Sequence, residues 1–188
     1  MRRNCTALVA VLMIVGLPWS LAEEPTTGEG FVRLDNGKDL TGWYGATASG
    51  KPTGNTTGWT VVNGAIHLDS SVARSCLFSE RKHSRNVIIR LQFRASEGAD
   101  SGIFIHGKQF QIRDYPNAGP KKYAPAAKPA GEWNDLEFDF TDGVAVVKLN
   151  GRVVEKAWKI GDNPDVGIGL QREKGEFDFR HILLKEKK

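Results

Sequence analysis

Cysteine is scarce in this chain, and its two cysteines, Cys5 and Cys76, exclude a fold stapled by a disulfide framework. Cys5 lies in a leader segment, which leaves Cys76 without a partner. Set between Ser75 and Leu77 and close to Phe78, Cys76 reads as a buried strand thiol, not a nucleophile. Long hydrophobic runs are also missing. The longest, Ala7 to Leu17, is shorter than the roughly 20 residues a membrane-spanning helix needs. No block of one charge sign marks a nucleic-acid surface, because acidic and basic residues alternate through the chain. The four histidines, His67, His83, His106 and His181, have no metal-ligand spacing, which argues against zinc. Neither a βαβ rhythm nor a long amphipathic helix is present, so a parallel α/β sheet is excluded.

What is present begins with an address. Arg2 and Arg3 precede the apolar run, and Ser20-Leu21-Ala22 follows as a small-residue cleavage pattern, so residues 1–22 read as a secretory signal peptide. The expected location is secreted or periplasmic, with Glu23 as the first mature residue. Removing the two arginines lowers the formal charge of +4 by two, and little attraction for nucleic acid remains. Residues 23–30, rich in proline, glycine, threonine and glutamate, read as a linker. The domain spans 31–184, and 185–188 is a charged tail.

From Trp59 onward the chain is punctuated like a series of strands. Asn63-Gly64, Asp142-Gly143 and Asn150-Gly151 are tight hairpin turns, because both central positions tolerate positive φ. In Val87 to Arg94, Ile89, Leu91 and Phe93 share one side and Arg90, Gln92 and Arg94 the other. The stretch from Tyr115 to Gly131 carries Pro116, Pro120, Pro125 and Pro129, which remove backbone donors and predict a long irregular loop. About ten to twelve strands are expected. The economical packing is all-β, two antiparallel sheets face to face.

The most informative stretch runs from Asp100 to Asp114. It reads as two short strands joined at Gly107. Alternation turns Phe110 and Ile112 one way and Gln109, Gln111 and Arg113 the other. Three polar side chains are thereby aligned on a rigid surface, where a polar ligand such as a sugar could be held. A solvated sheet face has the same pattern.

Several short motifs, in order, resemble the 3-keto-disaccharide hydrolase domain family (DUF1080). They are Asn36-Gly37-Lys38-Asp39-Leu40-Thr41-Gly42-Trp43, Trp59 to Gly64, Ser101-Gly102-Ile103-Phe104, Gln111 to Asp114, Gly131-Glu132-Trp133-Asn134, Leu149-Asn150-Gly151, Gly167 to Gln171 and Phe179 to Ile182. The resemblance implies a concanavalin A-like jelly roll of the lectin and glucanase kind. It also implies an exported hydrolase or lyase-like enzyme acting on 3-keto-glycosides or related disaccharides. A noncatalytic carbohydrate-binding domain and an envelope protein-interaction module are the alternatives. The partner expected is a small saccharide or glycoside, with no nucleic acid and no membrane span after signal removal.

The chain departs from the family pattern at three places. Active members tend to have glutamate where this chain has Gln109, arginine where it has His106, and an acidic residue where it has Gln92. An amide orients a hydroxyl but exchanges no proton near neutral pH. Net hydrolysis of a 3-keto-glycoside can begin with removal of the acidified C2 proton, followed by expulsion of the C1 leaving group and hydration of the enone. His106 is the candidate base, Arg113 the candidate enolate stabiliser, and Asp114 a residue to orient the base, bind a metal or cap the following loop. Gln92, Arg94, Gln109, Gln111, Trp158 and Gln171 complete the candidates, as substrate-binding residues. The pairs Glu137 with Asp139 and Glu176 with Asp178 alternate with apolar residues, as on a solvated face, which argues against a two-carboxylate glycosidase. No cofactor is called for. Calcium is an option at oxygen-rich Asp35, Asn36, Asp162, Asn163 and Asp165, although these lack a calcium-loop pattern.

Overall fold

The structure is a computed structural model that describes residues 30–69 and 74–188. The signal segment and all of the linker except Gly30 lie outside the described residues. The described residues form thirteen strands: β1 (Val32–Arg33), β2 (Trp43–Ala46), β3 (Trp59–Val62), β4 (Ala65–Leu68), β5 (Ser75–Ser79), β6 (Val87–Ala95), β7 (Asp100–Ile105), β8 (Lys108–Arg113), β9 (Asn134–Thr141), β10 (Val144–Leu149), β11 (Arg152–Lys159), β12 (Gly169–Arg172) and β13 (Phe177–Glu186).

They form the two antiparallel sheets of a jelly-roll sandwich. The larger has eight strands in the order β11-β10-β9-β6-β13-β4-β3, with β1 also paired to β13; the smaller has five in the order β2-β5-β12-β7-β8. Between them lies a core including Leu77, Leu91, Phe93, Ile103, Phe110, Phe138, Phe140, Leu170, Phe177 and Phe179, all nearly inaccessible to water. Trp43 joins this core and donates its indole N–H to Leu34 O at 3.1 Å.

Four hairpins close through a residue at φ near +50° followed by glycine at φ +78°: Asn63-Gly64, His106-Gly107, Asp142-Gly143 and Asn150-Gly151. This left-handed pair matches the twist of the flanking strands. The stretch from Tyr115 to Gly131 is irregular apart from one 3₁₀ turn at Ala124–Ala126. The chain end is more ordered than a separate tail. Lys185 and Glu186 continue β13, and Lys187 Nζ reaches Asp139 Oδ1 at 2.7 Å and Phe140 O at 2.8 Å.

One buried carboxylate anchors the larger sheet. Asp35 accepts the backbone N–H groups of His181 at 3.0 Å and Ile182 at 2.6 Å, and pairs with Arg33 at 2.9 Å. His181 has φ +51°, and β13 shifts register against β6 between Arg180 and Leu183. The carboxylate thus satisfies amides that the irregular strand has turned away from its neighbour.

Candidate functional site

The β7–β8 register follows from the turn at His106-Gly107. Counting back from it sets Phe104 opposite Gln109, Gly102 opposite Gln111 and Asp100 opposite Arg113. Phe110 and Ile112 enter the core, so the other phase of both strands faces outward. On the far side of β7, strand β12 sets Gly169 opposite Phe104 and Phe78, while Gln171 faces Cys76. Gln109, Gln111, Arg113 and Gln171 therefore share the outer face of the five-stranded sheet.

Their side chains make a directed chain of hydrogen bonds. Gln109 Nε2 donates to Gln111 Oε1 at 2.8 Å and to Gln171 Oε1 at 2.7 Å. Gln111 Nε2 donates to Asp100 Oδ1 and to Ser101 O. Gln171 Nε2 donates to Glu173 Oε2 at 3.2 Å. An arginine closes each end: Arg113 Nη1 lies 2.8 Å from Asp100 Oδ2, and Arg74 pairs with Glu173. Carboxylates and carbonyls only accept, so the two ends dictate which way every amide between them points.

Gly102 makes the crossing from Gln109 to Gln171 feasible. A Cβ at position 102 would stand 2.6 Å from Gln109 Cγ and 2.8 Å from its Cδ. At the far end Arg113 is held beneath the proline-rich loop, where a Cβ on Gly119 would come within 3.1 Å of Arg113 Nε.

The rest of this face is apolar. Ala46, Cys76, Phe78, Phe104 and Val166 form a second buried cluster, with Tyr44 packed against it. The glycine- and threonine-rich segment after β2 folds back over it. Thr53 N donates to Gly45 O at 2.8 Å, and a Cβ on Gly50 would collide with Val166. Between this segment and the amides lies a cavity of about 370 Å³, bounded by Ala46, Thr47, Asn55, Arg74, Cys76, Gln171 and Glu173 among others. Its size lies within the range of small-ligand sites. Burial, then the charge of Glu173, pushes the Cys76 thiol up to about 11, so it is no nucleophile here.

The remaining candidates lie elsewhere. His106 occupies the left-handed position of the β7–β8 turn and is 1% exposed. Its Nε2 bonds His83 O at 3.0 Å, and its ring stacks on His83 at 4.6 Å. The turn swings it away from the amides, so it cannot serve as a base for a ligand on that face. It borders a larger cavity of about 980 Å³, whose lining includes Arg85, Lys108, Lys159 and Asp162 but none of the three glutamines. Asp114 ties its own loop to the β6–β7 turn, accepting Asn117 Nδ2 at 2.8 Å and Gly98 N at 3.0 Å. Gln92 and Arg94 lie on the outer face of the other sheet. There Gln92 bonds Asp135 and Arg180, and Arg94 pairs with Asp178. Trp158 packs on Phe110, Phe138 and Phe140 with Lys108 over its ring, so it offers no open face for stacking a sugar.

The oxygen-rich candidates for calcium do not converge. Asp35 is committed to β13, and the side-chain oxygens of Asn36 and Asn163 accept backbone N–H groups of their own turns. Among the described residues no three of His, Cys, Asp and Glu are grouped to hold a metal, and no helix is long and apolar enough to cross a membrane.

Sequence reasoning missed Asp100, Gly102, Arg74 and Glu173. The first two were within reach, because a two-residue turn at His106-Gly107 already pairs Asp100 with Arg113 and leaves Gly102 under the glutamines. Glu173 follows Gln171 by two residues, so the same alternation that exposes Gln171 exposes Glu173. For Arg74, preceding β5, the sequence carried no such signal.

The sequence profile of the 3-keto-alpha-glucoside-1,2-lyase-like domain matches residues 30–185. No curated protein matches the chain in sequence. Among solved structures, a candidate glycosyl hydrolase from Parabacteroides distasonis superposes with TM-score 0.64 at 19% identity, over 85% of this chain and 95% of that one. The carbohydrate-binding module CBM66 from Bacillus subtilis gives 0.51 at 11% identity, over 77% and 96%. The exoplasmic domain of VIP36, solved with calcium and Man3GlcNAc, gives 0.53 at 9% identity, over 85% and 91%. At these identities the likeness concerns the fold.

Proposed function

The chain belongs to the 3-keto-alpha-glucoside-1,2-lyase-like domain family, and within it we propose that this protein is an exported saccharide-binding domain. Its sugar is held on the outer face of the five-stranded sheet. The observation that carries this reading is the row Gln111, Gln109 and Gln171, half-buried, fixed at both ends by arginine-paired carboxylates, and bordered at Gln171 by the cavity. Amides in a fixed orientation suit the hydroxyl pattern of a sugar, and immobilising them beforehand lowers the cost of binding. The likeness of the fold to CBM66 supports the same reading.

Family membership favours a second reading, elimination on a 3-keto-glycoside. It requires a proton acceptor on this face. With amide at 109 and His106 committed elsewhere, that role falls to Asp100 or Glu173, each already paired with an arginine. Each also accepts a glutamine N–H, from Gln111 and Gln171 respectively, so neither carboxylate stands free of partners to take a proton from substrate.

Titrating purified protein with glucosides, disaccharides and their 3-keto counterparts, followed by calorimetry and by release of sugar and enone, tests both readings. Binding without turnover, weakened about tenfold or more by Gln171→Ala, is the expected result. Turnover of the 3-keto substrate would put the enzyme first, and absence of binding across the panel would overturn the saccharide reading.

A further inference from the structure

Resting on the saccharide reading, we infer that this site takes an unoxidised sugar through the hydrogens of its hydroxyl groups and discriminates against a ketone in the same position. The fixed amides leave a ligand few donors and several acceptors. Each glutamine brings two N–H donors and an oxygen with two lone pairs. Gln109 spends both donors on its neighbours, Gln111 Oε1 and Gln171 Oε1. Gln111 spends both on Asp100 Oδ1 and Ser101 O. Gln171 spends one on Glu173, which leaves a single N–H in the row.

The oxygens are in the opposite state. Gln111 Oε1 and Gln171 Oε1 each receive one donor and keep one lone pair. Gln109 Oε1 receives none from the described residues, and it is not among the buried side-chain atoms that lack a partner, so water reaches it. The centre of the row is therefore rich in acceptors and poor in donors. The arginine donors stand at its two ends, drawn toward Asp100 and Glu173.

This polarity cannot simply be reversed. Turning Gln111 would set its oxygen against the Asp100 carboxylate and Ser101 O. Turning Gln171 would set its oxygen against Glu173. Either change exchanges a hydrogen bond for facing lone pairs. A sugar hydroxyl meets the row by donating to Gln109 Oε1. A ketone oxygen has no hydrogen to give and faces a lone pair there, leaving both groups desolvated and unpaired.

The test compares one glucoside with its positional series of monoketo and monodeoxy analogues, by calorimetry on the wild-type protein and on Gln109→Met. In the wild type, at least one ketone position should lose about tenfold or more in affinity against the parent glucoside. In Gln109→Met, which keeps the chain length but removes the acceptor, the parent should weaken and the difference at that position should fall below about twofold. Ketones binding as tightly as the parent at every position would overturn this inference and leave saccharide binding standing. If no sugar bound at all, the saccharide reading would fall and this inference with it.

Discussion

Gly102 lies directly beneath the Gln109 side chain, close enough that a Cβ there would stand 2.6 Å from Gln109 Cγ and 2.8 Å from its Cδ. The glycine is not demanded by its own backbone, since Gly102 is absent from the positive-φ residues. It is demanded by what passes over it. Gly102→Ala should therefore separate binding from folding. Alanine suits a strand better than glycine, so stability should change by less than about 1 kcal/mol. Gln109, pushed off its path, should lose Gln171, and saccharide affinity should fall about tenfold or more. Calorimetry beside thermal melts checks this. A melt shifted strongly downward with affinity intact would show that the close approach serves packing only.

Gln109→Glu tests how the family's chemistry relates to this site. A carboxylate at 109 cannot donate, so it would stand against the oxygens of Gln111 and Gln171, which Asp100, Ser101 O and Glu173 hold in place. The new carboxylate, half-buried among acceptors that raise its affinity for a proton, stands where active relatives tend to have glutamate. The variant should turn over a 3-keto-glucoside at least about tenfold faster than the wild type, with release of sugar followed against time. Equal rates would mean that position 109 does not decide proton transfer.

Much of the fold was legible because it is written in alternation and turns. Val144 to Leu149 sits between Asp142-Gly143 and Asn150-Gly151, and β10 has those bounds. The pairing of strands into sheets was not legible. Gln92 and Arg94 alternate as cleanly as Gln109 and Gln111, but alternation states which phase faces out and not which sheet a strand joins. Their strand, β6, lies in the larger sheet between β9 and β13, so they face away from the amides. The run Cys76-Leu77-Phe78 hid its phase for a different reason. The segment after β2 covers the outer face above Cys76 and Phe78, so both sides of β5 are apolar. His106 was drawn to the site by nearness in sequence, and a left-handed turn carried it elsewhere.

Asp35 offers a stability prediction away from the site. Its carboxylate accepts two backbone N–H groups of β13 and pairs with Arg33, with a side chain 1% exposed. Asp35→Ala leaves those amides buried without an acceptor, at a cost of about 3 kcal/mol. Asp35→Asn retains one acceptor oxygen and should lose less. Urea unfolding of both variants is the measurement, and a loss below about 1 kcal/mol for alanine would mean that water replaces the carboxylate.

Cys76 should be silent toward alkylation in the native state. Its thiol is pushed up to about 11 from 9.0, first by burial and then by Glu173. Two units mean about a hundredfold less thiolate at any pH well below both values, before steric protection is counted. Iodoacetamide at pH about 8 should label native protein at least about a hundredfold more slowly than protein unfolded in urea. Similar rates would place the thiol in open solvent.

The stacked pair His83 and His106 predicts how stability depends on pH. Burial, opposed by the Ser84 carbonyl and joined by repulsion from His106, holds the His83 imidazole below its usual 6.5, while the Glu186 charge pulls the other way. The unfolded chain therefore binds the proton more readily than the folded one, and stability rises with pH across the window between the two values. The contribution is intact above the ordinary imidazole range, begins to fall as pH drops through about 6.5, and is fully lost once pH passes the folded value. His83→Phe keeps a ring against His106 but cannot take the proton. Urea unfolding of wild type and variant between pH about 7.5 and 5 should show the wild type losing stability more steeply, with the curves diverging below about 6.5. Parallel curves would mean that His83 accepts its proton as easily folded as unfolded, and that other groups set the acid sensitivity of the sandwich.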